Sequence, residues 1–86
     1  MYNIEISPTA LKSLERLQRN NKDIALRVEN AIDNLKADPL SGKKLLGELS
    51  GLRSLRVGEY RILYAILEKR ILIQIINIAH RREVYR

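Results

Sequence analysis

Three apolar runs, Arg53 to Val57, Tyr60 to Leu67 and Ile71 to Ala79, follow one another with only Gly58-Glu59 and Glu68-Lys69-Arg70 between them. They are rich in Ile, Leu, Val and Tyr, so each reads as a strand. Connections this short suit hairpins, because a parallel crossover takes about a dozen residues or more. This stretch is therefore expected to be a three-stranded antiparallel meander.

The meander needs a cover, and the first half of the chain supplies one. Tyr2, Ile4 and Ile6 alternate with Asn3 and Glu5, the period of a half-buried strand. Ser7-Pro8 then reads as an N-cap with proline at the first helical position, where its missing N–H costs nothing. The helix that follows turns Ala10, Leu11, Leu14 and Leu17 to one side, and Asn20-Asn21 are residues tolerant of a left-handed stop. From Lys22 to Ala37 a second helix carries Ile24, Val28, Ala31, Ile32 and Leu35 at helical spacing, and Asp38-Pro39 ends it. The two helices form an antiparallel hairpin whose apolar stripe must lie on something flat. Leu40 to Gly51, with Ser41-Gly42, Gly47 and Ser50-Gly51, reads as a loop with Leu45, Leu46 and Leu49 tucked beneath it. The expected fold class is α+β, in the order β-α-α-β-β-β, with one sheet and one domain over residues 1–86.

With 45% hydrophobic residues, 86 residues can close one core of modest stability. There is no cysteine, so neither disulfides nor thiolate metal sites hold the chain together. No signal-like leader is visible, and no run approaches the roughly 20 apolar residues of a membrane span. A cytoplasmic protein without a membrane partner is expected.

The net charge is +6, and its placement is uneven. Between Met1 and Gly42, six basic residues balance six acidic ones. From Lys43 onward, Lys43, Lys44, Arg53, Arg56, Arg61, Lys69, Arg70, Arg81, Arg82 and Arg86 face only Glu48, Glu59, Glu68 and Glu83. A one-sided basic field attracts a polyanion or an acidic protein, and arginine is the better fork for phosphate. The same charges would also serve as a plain solvated surface.

Hairpin register narrows the set. Gly58-Glu59 suits a two-residue turn with glycine first, which pairs Val57 with Tyr60 and sets Arg56 opposite Arg61 on one face. Like charges so opposed call for solvated, splayed side chains or a shared anion. The next connection is ambiguous. A two-residue loop at Lys69-Arg70 gives His80 the parity of Arg61, whereas a three-residue loop gives it to Arg81. The chain's end adds Arg82, Tyr85 and Arg86, with Tyr85 able to pack on the sheet, present its hydroxyl or stack on a base. Metal catalysis is not expected: the acids of the basic half are isolated, and there is one histidine. No P-loop, dinucleotide fingerprint or nucleophile elbow occurs, so no cofactor is expected.

Gly51-Leu52-Arg53-Ser54-Leu55-Arg56-Val57-Gly58-Glu59-Tyr60-Arg61-Ile62-Leu63-Tyr64, followed by His80-Arg81-Arg82-Glu83-Val84-Tyr85, resembles the RelE branch of the RelE/ParE toxin superfamily. The likeness covers nearly the whole chain, including the strand that runs into Ser7-Pro8-Thr9-Ala10. It implies a toxin of a type II toxin–antitoxin pair, acting as a ribosome-dependent, metal-free endoribonuclease on mRNA through attack by the RNA's own 2′-OH. Under that resemblance Arg61 and Arg81 fall on arginines that stabilise the transition state, Tyr85 falls near a tyrosine assigned to proton transfer, and Arg56 matches a basic position. Ser54 departs from the pattern, standing where a lysine or arginine often completes the cluster. Arg53 has the strand parity of the other face. His80 competes with Tyr85 for the role of general base. Lys43, Lys44, Arg53, Arg82 and Arg86 are the expected RNA-binding residues. The implied partners are an acidic, RelB-like antitoxin, the ribosome with its mRNA, and operator DNA through the antitoxin complex. Two further readings stay open: a ParE-like poison of DNA gyrase acting by protein contact, and an inactive module that binds antitoxin and DNA.

Overall fold

A computed structural model describes residues 1–83, so Val84, Tyr85 and Arg86 lie outside the described residues. β1 (Asn3–Ile6) leads into α1 (Pro8–Asn20) and α2 (Lys22–Leu35). Then follow β2 (Lys43–Lys44), β3 (Arg53–Val57), β4 (Tyr60–Leu67) and β5 (Leu72–His80). The strands form one sheet in the order β1-β5-β4-β3-β2. β1 runs parallel to β5, from Asn3 opposite Leu72 to Ile6 opposite Ile75, while the other neighbours are antiparallel. The α+β class stands, with a mixed sheet.

Local chemistry sets the helix ends. Ser7 Oγ accepts from the Ala10 N–H at 3.0 Å, the cap expected of Ser-Pro. Asn21 differs from expectation: its φ is −154°, and it caps both helices rather than making a left-handed stop. Its N–H donates to Leu17 O at 2.7 Å and its Oδ1 accepts from Ile24 N–H at 3.3 Å. α2 ends at Leu35, short of Ala37, because Lys36 and Ala37 tighten into bonds to Asp33 O and Asn34 O ahead of the proline.

The helices bury one face of the sheet. Ala10, Leu14, Leu17, Ala25, Val28, Ile32 and Leu35 pack on Val57, Ile62, Tyr64, Ile73, Ile75 and Ile78. Leu11, expected in this stripe, is instead exposed at its margin.

Three details depart from the sequence-based expectation in the loops. The segment expected to be a loop from Leu40 to Gly51 contributes β2, with Lys43 opposite Ser54 and Lys44 opposite Arg53. Tyr64 holds this segment in place: its fully buried hydroxyl accepts from Gly42 N–H at 2.9 Å and donates to Pro39 O at 2.7 Å. Only glycine fits at 42, since a Cβ there would lie 2.5 Å from the Tyr64 Oη. Leu45 and Leu49 are half-buried, but Leu46 is exposed rather than tucked in. The β4–β5 connection has neither two nor three residues. Glu68–Arg70 form a 3-10 turn, Ile71 adopts a left-handed φ of 50°, and Leu67 pairs with Leu72.

Candidate functional site

The β3–β4 turn forms as expected, with Gly58 at φ 58° and Arg56 directly opposite Arg61. Strand alternation sends Val57, Leu55, Tyr60, Ile62 and Tyr64 toward the helices, so Arg56 and Arg61 share the uncovered face. Arg56 is exposed, and its Nε donates to Gly58 O at 3.2 Å; Arg61 is half-buried. Like charges directly opposed across two strands repel by up to about 1 kcal/mol, and an anion shared between them offsets this.

Which residue of β5 joins them is decided by a bulge. Near the loop the register is Leu67 to Leu72 and Tyr64 to Ile75, which by itself would carry His80 to the arginine face. Between Tyr64 and Leu63 the partner jumps from Ile75 to Asn77, leaving Ile76 as an extra residue. Beyond it Arg61 pairs with Ala79 and Tyr60 with His80, so Arg81 takes the parity of Arg61. Ser7 pins the bulge: its N–H donates to Ile75 O at 2.9 Å and its hydroxyl to Ile76 O at 2.7 Å. The residue that caps α1 thus also helps select the face on which Arg81 emerges.

His80 goes to the other side. Its ring meets Tyr60 edge-on with centroids 5.5 Å apart, and its Nδ1 accepts from Arg82 N–H at 3.3 Å. It borders a cleft of about 310 Å³ beside α1, whose lining includes Ser13, Arg16, Tyr60 and Glu83.

The expected RNA-binding residues divide as well. Lys43 shares the open face, opposite Ser54 and one row from Arg56, within reach of a long side chain. Lys44 and Arg53 have the opposite parity, and Arg53 Nη1 donates to Gly42 O at 2.7 Å, tying it to the loop under Tyr64. Arg82 is exposed in the turn after β5, whereas Arg86 and Tyr85 lie outside the described residues. Ser54 is 3% exposed, and its Oγ has no hydrogen-bond partner among the described residues.

Glu59 was legible in the sequence only as a turn residue. The structure sets it against Arg81: Arg81 N–H donates to Glu59 O at 2.7 Å, and Arg81 Nε meets Glu59 Oε2 at 2.7 Å. The signal that would have found this pair is the bulged register, which sequence periodicity does not carry. Among the described residues no three His, Cys, Asp or Glu side chains gather as a metal site would require. No helix is long and apolar enough to cross a membrane. The face as described is an array of fixed cations, able to bind a phosphate and to stabilise charge growing on its oxygens.

Comparison with known proteins identifies the family. The model of the ParE toxin of the type II toxin–antitoxin system parDE matches residues 4–85. Toxin RelG of Mycobacterium tuberculosis is 36% identical over 86 residues, covering 99% of this chain and 97% of that toxin. Toxin RelE of the same organism is 40% identical over 86 residues, covering 99% and 87%. A crystal structure of the toxin–antitoxin complex RelBE2 from M. tuberculosis superposes with a TM-score of 0.82 at 32% identity, covering 92% of this chain and 96% of that one. The chain therefore belongs to the RelE/ParE superfamily of type II toxin–antitoxin toxins.

Proposed function

We propose that this toxin is a ribosome-dependent endoribonuclease that cleaves mRNA without a metal. The observation that carries the reading is the cross-strand pair Arg56 and Arg61 on the uncovered face, with Arg81 emerging at the same parity from the next strand. In the proposed reaction the RNA 2′-OH gives its proton to a base, and its oxygen attacks the adjacent phosphorus. The 5′-oxygen leaves with a proton, and a cyclic phosphate remains. The arginines neutralise the charge that grows on the phosphate oxygens. Arginine stays protonated at all relevant pH and so is not the base.

His80 packs on the helix side with its Nδ1 already accepting, which favours Tyr85 for that role. A tyrosine near its ordinary value of about 10 becomes a usable base only where cations stabilise the phenolate, which is what arginines beside Tyr85 would do. Lys43, across from Ser54, brings to the face a cation that Ser54 itself does not. Arg82 and Arg86 would add phosphate contacts from the chain's end, while Lys44 and Arg53 are better read as parts of the β2 anchor.

The partner of the proposal is an acidic, RelB-like antitoxin that folds over the basic face and shields it, as the M. tuberculosis RelBE2 neighbour is itself a toxin–antitoxin complex. Operator DNA would be reached through that complex, and the working compartment would be the cytoplasm. A gyrase-directed reading is kept because the matching family model is described as a ParE toxin.

One experiment separates them. Translating ribosomes are incubated with wild-type toxin and with Arg81→Ala, and gyrase supercoiling is measured beside them. The nuclease reading expects mRNA cut by wild type and about 100- to 1,000-fold slower cutting by the variant, the usual effect of deleting one transition-state donor. Intact mRNA with blocked supercoiling would replace it with the gyrase reading. Inactivity in both assays would leave an inactive antitoxin-binding module.

A further inference from the structure

Glu59 and Arg81 extend the β4–β5 ladder one pair past Tyr60 and His80, joined through the backbone at 2.7 Å and through the side chains at 2.7 Å. Both side chains are about half exposed, 55% for Glu59 and 49% for Arg81, so the ion pair adds little to stability in water. An acid at this place also opposes the field of the face, since a surface that only attracts a polyanion gains nothing from a carboxylate beside its arginines. The geometry has a different consequence. Nε is the engaged atom, so the guanidinium is held along its Nε edge and its far Nη end points away from the carboxylate, toward where a phosphate could bind. The backbone that carries the carboxylate is tied in turn, because Glu59 sits in a two-residue turn whose Gly58 carbonyl accepts from Arg56 Nε at 3.2 Å. A single turn therefore links Arg56 and Arg81, the flanking members of the set.

We propose that Glu59 is a positioning residue, which clamps Arg81 through Nε so that its Nη groups meet the phosphate gripped by Arg56 and Arg61. The proposal rests on the RNA-cleavage reading above. Loss of the clamp leaves Arg81 charged but free to rotate, and displacements of an ångström at a reacting centre are enough to slow a reaction severely.

Positioning and plain electrostatics predict opposite signs, which makes the test sharp. Glu59→Gln removes a negative charge from the face. If charge were all that mattered, it would bind mRNA more tightly and cleave faster. The clamp predicts that single-turnover kcat on ribosome-bound mRNA falls about tenfold while KM stays the same or drops. Glu59→Asp, which keeps the charge, recovers part of the rate. In an Arg81→Ala background, measured at toxin excess, Glu59→Gln has less than about a twofold further effect, because residues acting as a unit are not additive. Thermal melting of each variant confirms an unchanged fold.

Cleavage by Glu59→Gln at or above the wild-type rate overturns the proposal. So does an equal fall in the wild-type and Arg81→Ala backgrounds, since Glu59 would then act without Arg81. If wild type leaves mRNA intact, the cleavage reading itself fails and takes the clamp with it, an outcome distinguished by the wild-type reaction alone.

Discussion

Tyr64 and Arg61 lie three residues apart on β4, and strand alternation sends them to opposite faces of the sheet. Tyr64 is fully buried, with its hydroxyl both accepting from Gly42 and donating to Pro39. Arg61 faces Arg56 across the strand pair, a like-charge juxtaposition on the face away from the helices. The helix side thus holds the fold together, and the open side carries a charge array that the fold must tolerate. Under the proposed function stability and activity are divided by strand parity, so substitutions on the two faces should affect different observables.

The largest stability effect is expected on the helix side. Tyr64→Phe leaves the Gly42 N–H and the Pro39 carbonyl without their partner and should cost about 2 kcal/mol in urea unfolding. Its pH dependence gives a second check. Burial raises the Tyr64 phenol above 10.0, so the native state holds the proton longer than the unfolded chain does. That contribution is intact below pH 10.0 and is lost as pH rises from there through the raised native value. Wild type should accordingly lose stability in this alkaline window, and the gap between wild type and Tyr64→Phe should narrow. A constant gap up to the highest pH would break the contrast between the faces.

Ser7→Ala tests the link between them. It removes the α1 cap, worth about 1 kcal/mol, and frees the Ile76 carbonyl at the bulge. If the bulge relaxes, the edge-on contact of Tyr60 and His80 is lost in NMR spectra and cleavage falls with it. Retained ring contact and cleavage would show that the bulge stands without Ser7. The smallest effect on stability is expected on the open face. Arg56→Gln relieves like-charge repulsion with Arg61 while losing the Nε bond to the Gly58 carbonyl, so stability should change by less than about 0.5 kcal/mol while RNA binding weakens. A larger destabilisation by Arg56→Gln would mean that the open face supports the fold after all.

Much of the candidate site is legible in the sequence. Gly58-Glu59 defines a turn, the turn defines the register, and the register sets Arg56 against Arg61. The choice between His80 and Arg81 is not legible in the sequence, because loop length alone does not set it. The loop runs from Glu68 to Ile71, and its parity alone would have delivered His80. The bulge at Ile76 reverses that outcome, and an extra residue in an apolar run of Ile75, Ile76, Asn77 and Ile78 leaves no mark on the pattern. Glu59 was missed for the same reason, since its meaning depends on what stands across the ladder.

The sequence by itself determined the elements whose causes are local: the cap at Ser7, the helical stripes through Val28 and Leu35, the end before Pro39, and the alternation of β3 and β4. Each depends on residues within a turn or two of one another, so periodicity and capping chemistry suffice. The tertiary structure alone decided that Lys43–Lys44 form a strand, that β1 joins β5 in parallel, and that the register beyond the bulge gives Arg81 rather than His80 the parity of Arg61. These depend on contacts between distant residues, such as the Tyr64 hydroxyl on Gly42 and the Ser7 hydroxyl on Ile76. A hydrogen bond across 69 positions is invisible to any local pattern, yet it sits at the bulge that decides which residue follows β5 at the parity of Arg61.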